Sequence, residues 1–394
     1  MAEKAREATA IIIRNKSDYV IGRKFGLLGR RLGHSLSPEI HSLLGDYEYR
    51  LYEVEPEDLS SFIEGTDLDG FNVTIPYKES VLPLCRDLTP RAASIGSVNT
   101  MKRLPGGGFL GDNTDYTGFA LLLDSVWGKE SLSDEEVLVL GSGGASKAVC
   151  AVLKDRGASV RIVSRSGDLN YTNVFEKAPG CRLIVNTTPV GMYPDEGQSP
   201  LDLRPFANLE AVIDIIYNPE KTALILQAEA LGLKAGSGMT MLLGQAAAAD
   251  FGGSKPNIVL IGMPGAGKTT LGRKLAAGFG RVFVDTDDET EKKTGLDIPE
   301  IFRRYGEEEF RKIETGILRE LSKKEGLVIA TGGGIVTRAE NREYLSNARV
   351  VHVKRPLESL PSDGRPLSVK KGVEQLWKER KDFYEGWSDI EILL

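Results

Sequence analysis

The chain has 394 residues, of which 41% are hydrophobic and 27% charged, and a formal net charge of −6. That length suggests two to three domains of roughly 100–200 residues each, and the mildly acidic balance argues against a nucleic-acid binder. Three scattered cysteines (Cys85, Cys150, Cys181) give no disulfide framework or zinc spacing, three scattered histidines (His34, His41, His352) give no multi-histidine metal site, and no run approaches the roughly 18 apolar residues of a membrane span. The N-terminal stretch has a three-residue apolar run and carries acids, against a signal or transit peptide. The expectation is an α/β protein of a reducing, cytoplasmic compartment, acting on small molecules without nucleic acid or membrane; a homodimer is left open.

Residues 1–24 show little pattern and read as an N-terminal extension or a short helix. FGLLG then reads as a strand, and Ser37 can cap a helix with Pro38 in its first turn. YRLYEV alternates like a strand, EPEDLSSFIEG reads as a helix and FNVTIP as another strand. The alternation predicts parallel βα units. From about residue 110, TDYTGFALLLDSVW is helical. EEVLVLGSGGASKAVCAVLKDRG reads as strand, glycine loop and helix, and VRIV, LIVNTTP and AVIDIIYNP supply strands. GMTMLLGQAAAADF is a long apolar helix. Gly252, Gly253, Ser254 and Pro256 mark a linker at 252–256, and a third block runs over 257–394.

The first glycine loop, Gly141-Ser142-Gly143-Gly144-Ala145, lies inside a βαβ unit, where glycines let the backbone approach a pyrophosphate at a helix N-terminus. After the next strand, Ser164-Arg165 stands where an NAD site would usually carry an acid. Arginine suits a 2′-phosphate instead, though a structural turn with a surface arginine is the plainer alternative. Ahead of this loop, polar groups cluster at expected strand ends: Ser35 and Ser37; Asn72, Thr74 and Lys78; Asn99 and Thr100; Asn113 and Asp115. Such ends line ligand crevices, and a lysine with an aspartate there could form a proton-handling pair. Singly, each reads as a turn or cap residue.

Taken in order, SLSP, NVTIPYK, GSVNT, GDNTDYTG, GSGGAS, NTTPVGM, DIIYNP and GMTMLLGQ closely resemble shikimate dehydrogenase over about residues 25–251. The resemblance implies an α/β substrate domain (25–110, with 232–251 returning to it) and a Rossmann NADP domain (111–231). It implies that Ser35 and Ser37 hold a substrate carboxylate, and that Thr74, Asn99, Tyr217 and Gln245 bind the ring hydroxyls and carboxylate. Lys78 and Asp115 would be the catalytic pair, Asp115 also touching substrate. Gly141, Ser142, Gly143, Gly144 and Ala145 would cradle NADP(H), Ser164 and Arg165 would meet its 2′-phosphate, and Ile215 and Gly238 would flank the nicotinamide.

The third block carries Gly262-x-x-x-x-Gly267-Lys268-Thr269 between an apolar strand and a helix, the context this phosphate loop requires. Backbone N–H groups of Gly265, Ala266, Gly267 and Thr270 would surround ATP phosphates, Lys268 would reach the β/γ oxygens, and Thr269 would ligate Mg²⁺. Asp285 and Asp287 follow the next strand, then Arg311 and Glu314, then Gly332 to Gly334, then Arg365 and Arg380. An acid facing hydroxyls with arginines facing a carboxylate suits a small polyhydroxy acid; singly these charges read as solvated faces. As a set over about residues 257–391 they resemble shikimate kinase. That resemblance implies a P-loop kinase domain, with Asp287 on the reacting diol as proton acceptor. Arg311 and Arg380 would hold the carboxylate, Gly333 the ring, and Arg365, from a lid, ATP. The combination predicts a bifunctional chain: NADPH-dependent reduction of 3-dehydroshikimate, then ATP-dependent phosphorylation of shikimate. Two other readings stay open, a third block that binds nucleotide without turnover, and a quinate/shikimate dehydrogenase running oxidatively with NAD.

Overall fold

The computed structural model describes residues 11–13, 22–33, 35–252, 254–360 and 372–394. It contains two compact units, one of residues 20–41 with 47–252 and the other built on residues 253–394. No helix among the described residues is long and apolar enough to cross a membrane.

The first strand, β1 (Ile11–Ile13), belongs to the second unit. The first unit opens on a six-stranded mixed sheet. Its strands are β2 (Lys24–Gly29), β3 (Glu48–Glu53), β4 (Gly70–Val73), β5 (Asp87–Leu88), β6 (Thr100–Arg103) and β7 (Phe109–Asp112), in the order β3-β2-β4-β6-β7-β5. The expected parallel βα pattern holds for β2, β3 and β4. It does not hold beyond them: β6 runs antiparallel to β4 and to β7. The short link Leu104–Gly108 accounts for the β6–β7 pair, since a tight hairpin can join only antiparallel strands. Helices α1 (Ser37–Leu44), α2 (Leu59–Gly65) and α3 (Pro90–Ile95) connect the strands. The cap of α1 differs from expectation: Ser35, not Ser37, supplies the capping oxygen, accepting from the Ser37 N–H at 3.2 Å.

Helix α4 (Asp115–Val126) leads into a five-stranded parallel sheet of β8 (Glu136–Leu140), β9 (Ser159–Val163), β10 (Leu183–Asn186), β11 (Ala211–Asp214) and β12 (Lys234–Ser237), ordered β12-β11-β10-β8-β9. Strands β10 and β11 are buried throughout, as strands covered on both faces should be, each with three apolar residues before Asn186 or Asp214. Helices α5 (Gly144–Asp155), α6 (Val174–Lys177) and α7 (Ala223–Ala230) flank them. Helix α8 (Met239–Ala249) packs tightly on α4, since a Cβ at Gly118 would lie 2.4 Å from the Met241 carbonyl. It ends beside Phe251, which stacks on Phe25 of β2 at 4.4 Å, so the last helix of the unit returns to its first sheet.

Against that corner sits His41, 1% exposed, stacked on Tyr49 and bonded to the Tyr47 hydroxyl at 2.8 Å. Burial pushes its pKa down to about 3, opposed in part by Asn72. The unfolded chain therefore binds a proton near pH 6.5 that the folded chain refuses. The stability contributed is full above about pH 6.5 and is lost as pH falls toward 3. We expect the first unit to lose up to about 1.4 kcal/mol per pH unit in that window. Denaturant titrations of the wild type and His41→Asn at pH 7 and pH 5 check this; equal pH dependence in both would contradict it.

The second unit holds β13 (Ile258–Ile261), β14 (Val282–Asp285), β15 (Leu327–Ala330), β16 (Arg349–Lys354) and β17 (Ile390–Leu393), all parallel, with β1 antiparallel on the edge of β17. Residues 11–13 are thus a strand and not part of a helix. Helices α9 (Lys268–Phe279), α10 (Thr286–Thr294), α11 (Ile298–Leu321), α12 (Asn341–Tyr344) and α13 (Val373–Trp387) complete it, and α11 is broken at Gly306, where φ is 79°.

Candidate functional site

In the first unit, the residues expected to carry chemistry come from five separate elements. Lys78 lies in the turn after β4, Asn99 just before β6, Asp115 at the start of α4 and Gln245 in α8, with Ser35 and Ser37 at the start of α1. Lys78 Nζ donates to Asp115 Oδ2 at 2.6 Å, with side-chain exposures of 14% and 6%. The other carboxylate oxygen accepts from Asn99 Nδ2 at 2.8 Å. Thr114 N–H donates to Asn99 Oδ1 at 2.6 Å, which fixes which way that amide faces. Gln245 Oε1 lies 3.5 Å from the same Nδ2. Two polar contacts therefore hold the Asp115 carboxylate while the ammonium keeps its remaining hydrogens for a third group.

Ser35 and Ser37 are joined at 3.1 Å. Tyr217, in the loop after β11, is pushed up by burial and then by the Glu39 carboxylate of α1, so its phenol stays protonated and can donate. Thr74 has no side-chain hydrogen bond to these groups; its methyl packs where a Cβ on Gly29 would stand.

The first glycine loop follows β8, at the point where strand order reverses between β8 and β10, the usual place for a ligand crevice. Gly141 takes φ 102°, and a Cβ there would meet Thr187 Oγ1 and Thr188 Cγ2 at 3.0 Å. Gly144 begins α5 against Lys78: an added Cβ would lie 3.3 Å from the lysine Cβ. Ser142 and Ala145 stand beside these glycines, next to the free N–H groups of α5. Gly238 approaches Ile215 so closely that a Cβ would lie 1.9 Å from the Ile215 carbonyl oxygen. Ser164 and exposed Arg165 follow β9, and no carboxylate pairs with Arg165 among the described residues. An unencumbered loop, a helix N-terminus and an unpaired guanidinium fit a dinucleotide carrying a 2′-phosphate.

In the second unit the phosphate loop follows β13, again where strand order reverses, between β13 and β16. Gly262, Gly265 and Gly267 take φ of 143°, 82° and 97°. A side chain at Gly262 would strike the Val353 carbonyl, 2.4 Å from its Cβ. Lys268, 8% exposed, donates to the carbonyls of Gly262 and Met263 at 2.9 Å. Its ammonium thus sits within the loop, where a phosphate would compete for it. Thr270 is exposed one residue beyond Thr269.

Thr269 Oγ1 donates to Asp285 Oδ2 at 2.8 Å. A hydroxyl and a carboxylate oxygen beside a phosphate cradle suit Mg²⁺, which takes few protein ligands and keeps waters and phosphate oxygens. Asp285 was legible as an acid after a strand; its tie to Thr269 was not. Its other oxygen accepts from the Asp287 N–H at 3.0 Å, which holds α10 in place.

Asp287 faces Glu314 across Gly332, whose Cβ would stand 2.1 Å from Glu314 Oε1 and 3.0 Å from Asp287 Oδ1. Burial first, then the charges of Glu314 and Asp285, push Asp287 up to about 7. Arg311 NH1 pairs with Glu314 Oε2 at 2.6 Å, and its guanidinium fills the space a Cβ on Gly334 would take, 2.1 Å away. The Tyr384 hydroxyl and Arg380, both from α13, donate to the Gly333 carbonyl, Arg380 at 3.1 Å. Arg311 and Arg380 thus converge on Gly333 and Gly334. Arg311 Nε, Arg380 Nε and Glu314 Oε1 are buried without hydrogen-bond partners among the described residues. Two guanidiniums meeting at adjacent glycines, each with an unpartnered Nε, fit an anion such as a carboxylate. Arg365 lies outside the described residues.

The first unit is therefore a Rossmann-type nucleotide fold joined to a polar substrate domain, and the second a P-loop fold with an acid and two arginines. A profile for the shikimate dehydrogenase substrate binding domain matches residues 27–101, and one for shikimate kinase matches residues 264–393. A shikimate dehydrogenase (NADP(+)) of Clostridium beijerinckii is 37% identical over 245 residues, 57% of this chain and 90% of the relative. One of Methylobacterium radiotolerans is 39% identical over 250 residues, 56% of this chain and 87% of the relative. The crystal structure of Thermus thermophilus shikimate 5-dehydrogenase with NADP(H) and shikimate matches with TM-score 0.52 at 33% identity, covering 58% of this chain and 92% of that one. A chorismate mutase/shikimate 5-dehydrogenase fusion of Clostridium acetobutylicum matches with TM-score 0.54 at 36% identity, covering 59% and 90%. The chain belongs to the shikimate dehydrogenase family, with a C-terminal shikimate kinase domain.

Proposed function

We propose that this chain reduces 3-dehydroshikimate to shikimate with NADPH and then phosphorylates shikimate to shikimate 3-phosphate with ATP and Mg²⁺. The observation that carries the reading is the Lys78 ammonium, 2.6 Å from Asp115, on a stem packed against the first glycine loop. In this reading residues 25–110 and 232–251 bind the substrate, 111–231 bind NADP(H), 252–256 link the halves and 257–394 form the kinase.

Bound NADPH supplies the hydride. Lys78 gives a proton to the carbonyl oxygen, and Asp115 and Asn99 orient that ammonium; in the reverse direction the pair takes the proton back from the hydroxyl. Ser35, Ser37 and Tyr217 hold the carboxylate, with Thr74 and Gln245 on the ring hydroxyls. Arg165 and Ser164 favour a 2′-phosphate over a bare ribose.

Bound ATP supplies the phosphoryl group, and Mg²⁺ offsets its charge. Thr269 and Asp285 would hold the ion and Lys268 the phosphates. Asp287 accepts the proton of the reacting hydroxyl, and Arg311 and Arg380 fix the carboxylate so that this hydroxyl points at the loop. Its support is the pair of arginines, each with an unpartnered buried Nε, that meet at Gly333 and Gly334.

Gly334→Ala tests that half, because its methyl must displace the ion-paired Arg311 guanidinium. We expect the KM for shikimate to rise at least about tenfold with the KM for ATP unchanged, as loss of one charged contact implies; an unchanged KM for shikimate would remove Arg311 from the site. The reading as a whole is tested by supplying shikimate with NADP⁺, and separately with ATP and Mg²⁺. Formation of 3-dehydroshikimate and of shikimate 3-phosphate is expected, and failure of either removes that half.

A further inference from the structure

Behind the first site runs a buried line of polar groups that the catalytic pair does not itself require. Tyr49 of β3 donates to Asn72 Oδ1 at 2.8 Å. Asn72 Nδ2, on β4, donates to Thr100 Oγ1 of β6 at 3.1 Å. Thr100 Oγ1 donates to Asn99 Oδ1 at 3.2 Å, and Asn99 Nδ2 ends the line on Asp115. At the opposite end Tyr49 lies against α1, stacked on His41 one turn after Ser37. Tyr49 is 9% exposed, Asn72 3% and Thr100 0%.

The direction of each link follows from its neighbour. The Thr114 N–H can only donate, so Asn99 must present its oxygen there and its amide hydrogens to Asp115. Thr100 can then give its one hydrogen to Asn99 while accepting from Asn72. Asn72, with its hydrogens so used, presents its oxygen to Tyr49. Tyr49 is a phenol kept neutral by burial, stacked on His41 at 3.8 Å with 8° between the rings, so it donates to Asn72 from a fixed place. Every donor therefore points from the Ser37 end toward Asp115.

We propose that Tyr49, Asn72 and Thr100 are positioning residues of the dehydrogenase site, a rigid bridge that fixes the distance between the serine that anchors the substrate carboxylate and the aspartate that orients Lys78. The substrate is a ring whose carboxylate and reacting oxygen stand on different ring carbons, two positions apart. Both must be engaged at once for the proton to lie in line, and a small misplacement at either end costs rate. The bridge crosses β3, β4 and β6, so the sheet itself sets the gauge. The inference rests on the dehydrogenase reading above.

The test uses the full chain, shikimate and NADP⁺, with thermal unfolding measured alongside. Tyr49→Phe keeps the ring stacked on His41 and removes one hydroxyl; Thr100→Val removes the next. Each is expected to lower kcat/KM about tenfold with NADP⁺ affinity unchanged. The double variant should be no worse than the poorer single, because the first cut already breaks the bridge. Thr100→Ser, which keeps donor and acceptor, should stay within about twofold of wild type and serves if Thr100→Val does not fold. Folded variants with wild-type kcat and KM, or a double variant whose loss is the product of the singles, would overturn the bridge. No turnover by the wild type would instead remove the dehydrogenase reading, and the bridge with it.

Discussion

Replacing Lys78 with methionine should lower the rate of 3-dehydroshikimate reduction by about 10²–10⁴-fold, the usual range for removing a positioned proton donor. Methionine keeps the apolar stem that packs on Gly144 and loses only the ammonium. NADPH affinity should then be nearly unchanged, since the glycine loop is not disturbed. Asp115 loses a charged partner but keeps the Asn99 amide at 2.8 Å, so the unit should fold. Steady-state rates together with NADPH titration by fluorescence check both points. A variant that reduces its substrate like the wild type would remove Lys78 from the mechanism. Loss of NADPH binding would mean that Lys78 shapes the loop and does not carry the proton.

Asp287→Asn should lower ATP-dependent phosphorylation of shikimate by about 10²–10⁴-fold, because an amide can orient the hydroxyl but cannot take its proton. The same change should stabilise the second unit. Burial and two neighbouring carboxylates hold Asp287 at about 7, against 3.8 in an ordinary setting. Between those values the folded form binds more protons than the unfolded, so stability contributed by this group falls as pH rises through about 4 to 7. Above pH 7 the wild type carries a buried charge that the amide avoids. Denaturant midpoints at pH 8 without nucleotide or Mg²⁺ should therefore be higher for Asn than for Asp. A lower midpoint, or full activity, would contradict the role assigned to this carboxylate. Stability given up to hold a reactive group is a common feature of active sites.

The strand–loop–helix order and both glycine loops were legible because glycine at a strand end, before a helix, has few other uses. Other features were not. The antiparallel pairing of β6 with β7 depended on a short link that reads as a loop of any kind. Ser35 and Ser37 are two residues apart, and either could supply the cap of α1. The pairing of β1 with β17 joins the first residues of the chain to its last, a separation over which periodicity carries no signal. Within the sites, residue types were readable and pairings were not. Asp285 was visible as an acid after a strand, but its bond to Thr269 depends on two strand ends meeting. Tyr49 and Thr100 sit in strand patterns whose apolar neighbours make them look like ordinary sheet residues. Only the register of β3, β2, β4 and β6 brings their hydroxyls to the two ends of Asn72.

One measurement bears on the central claim most directly. The purified chain is given 3-dehydroshikimate, NADPH, ATP and Mg²⁺ together, and the products are identified by mass. Shikimate 3-phosphate, formed only when both NADPH and ATP are present, is the predicted result. Accumulation of shikimate without its phosphate, or no conversion at all, would contradict a chain that carries both steps.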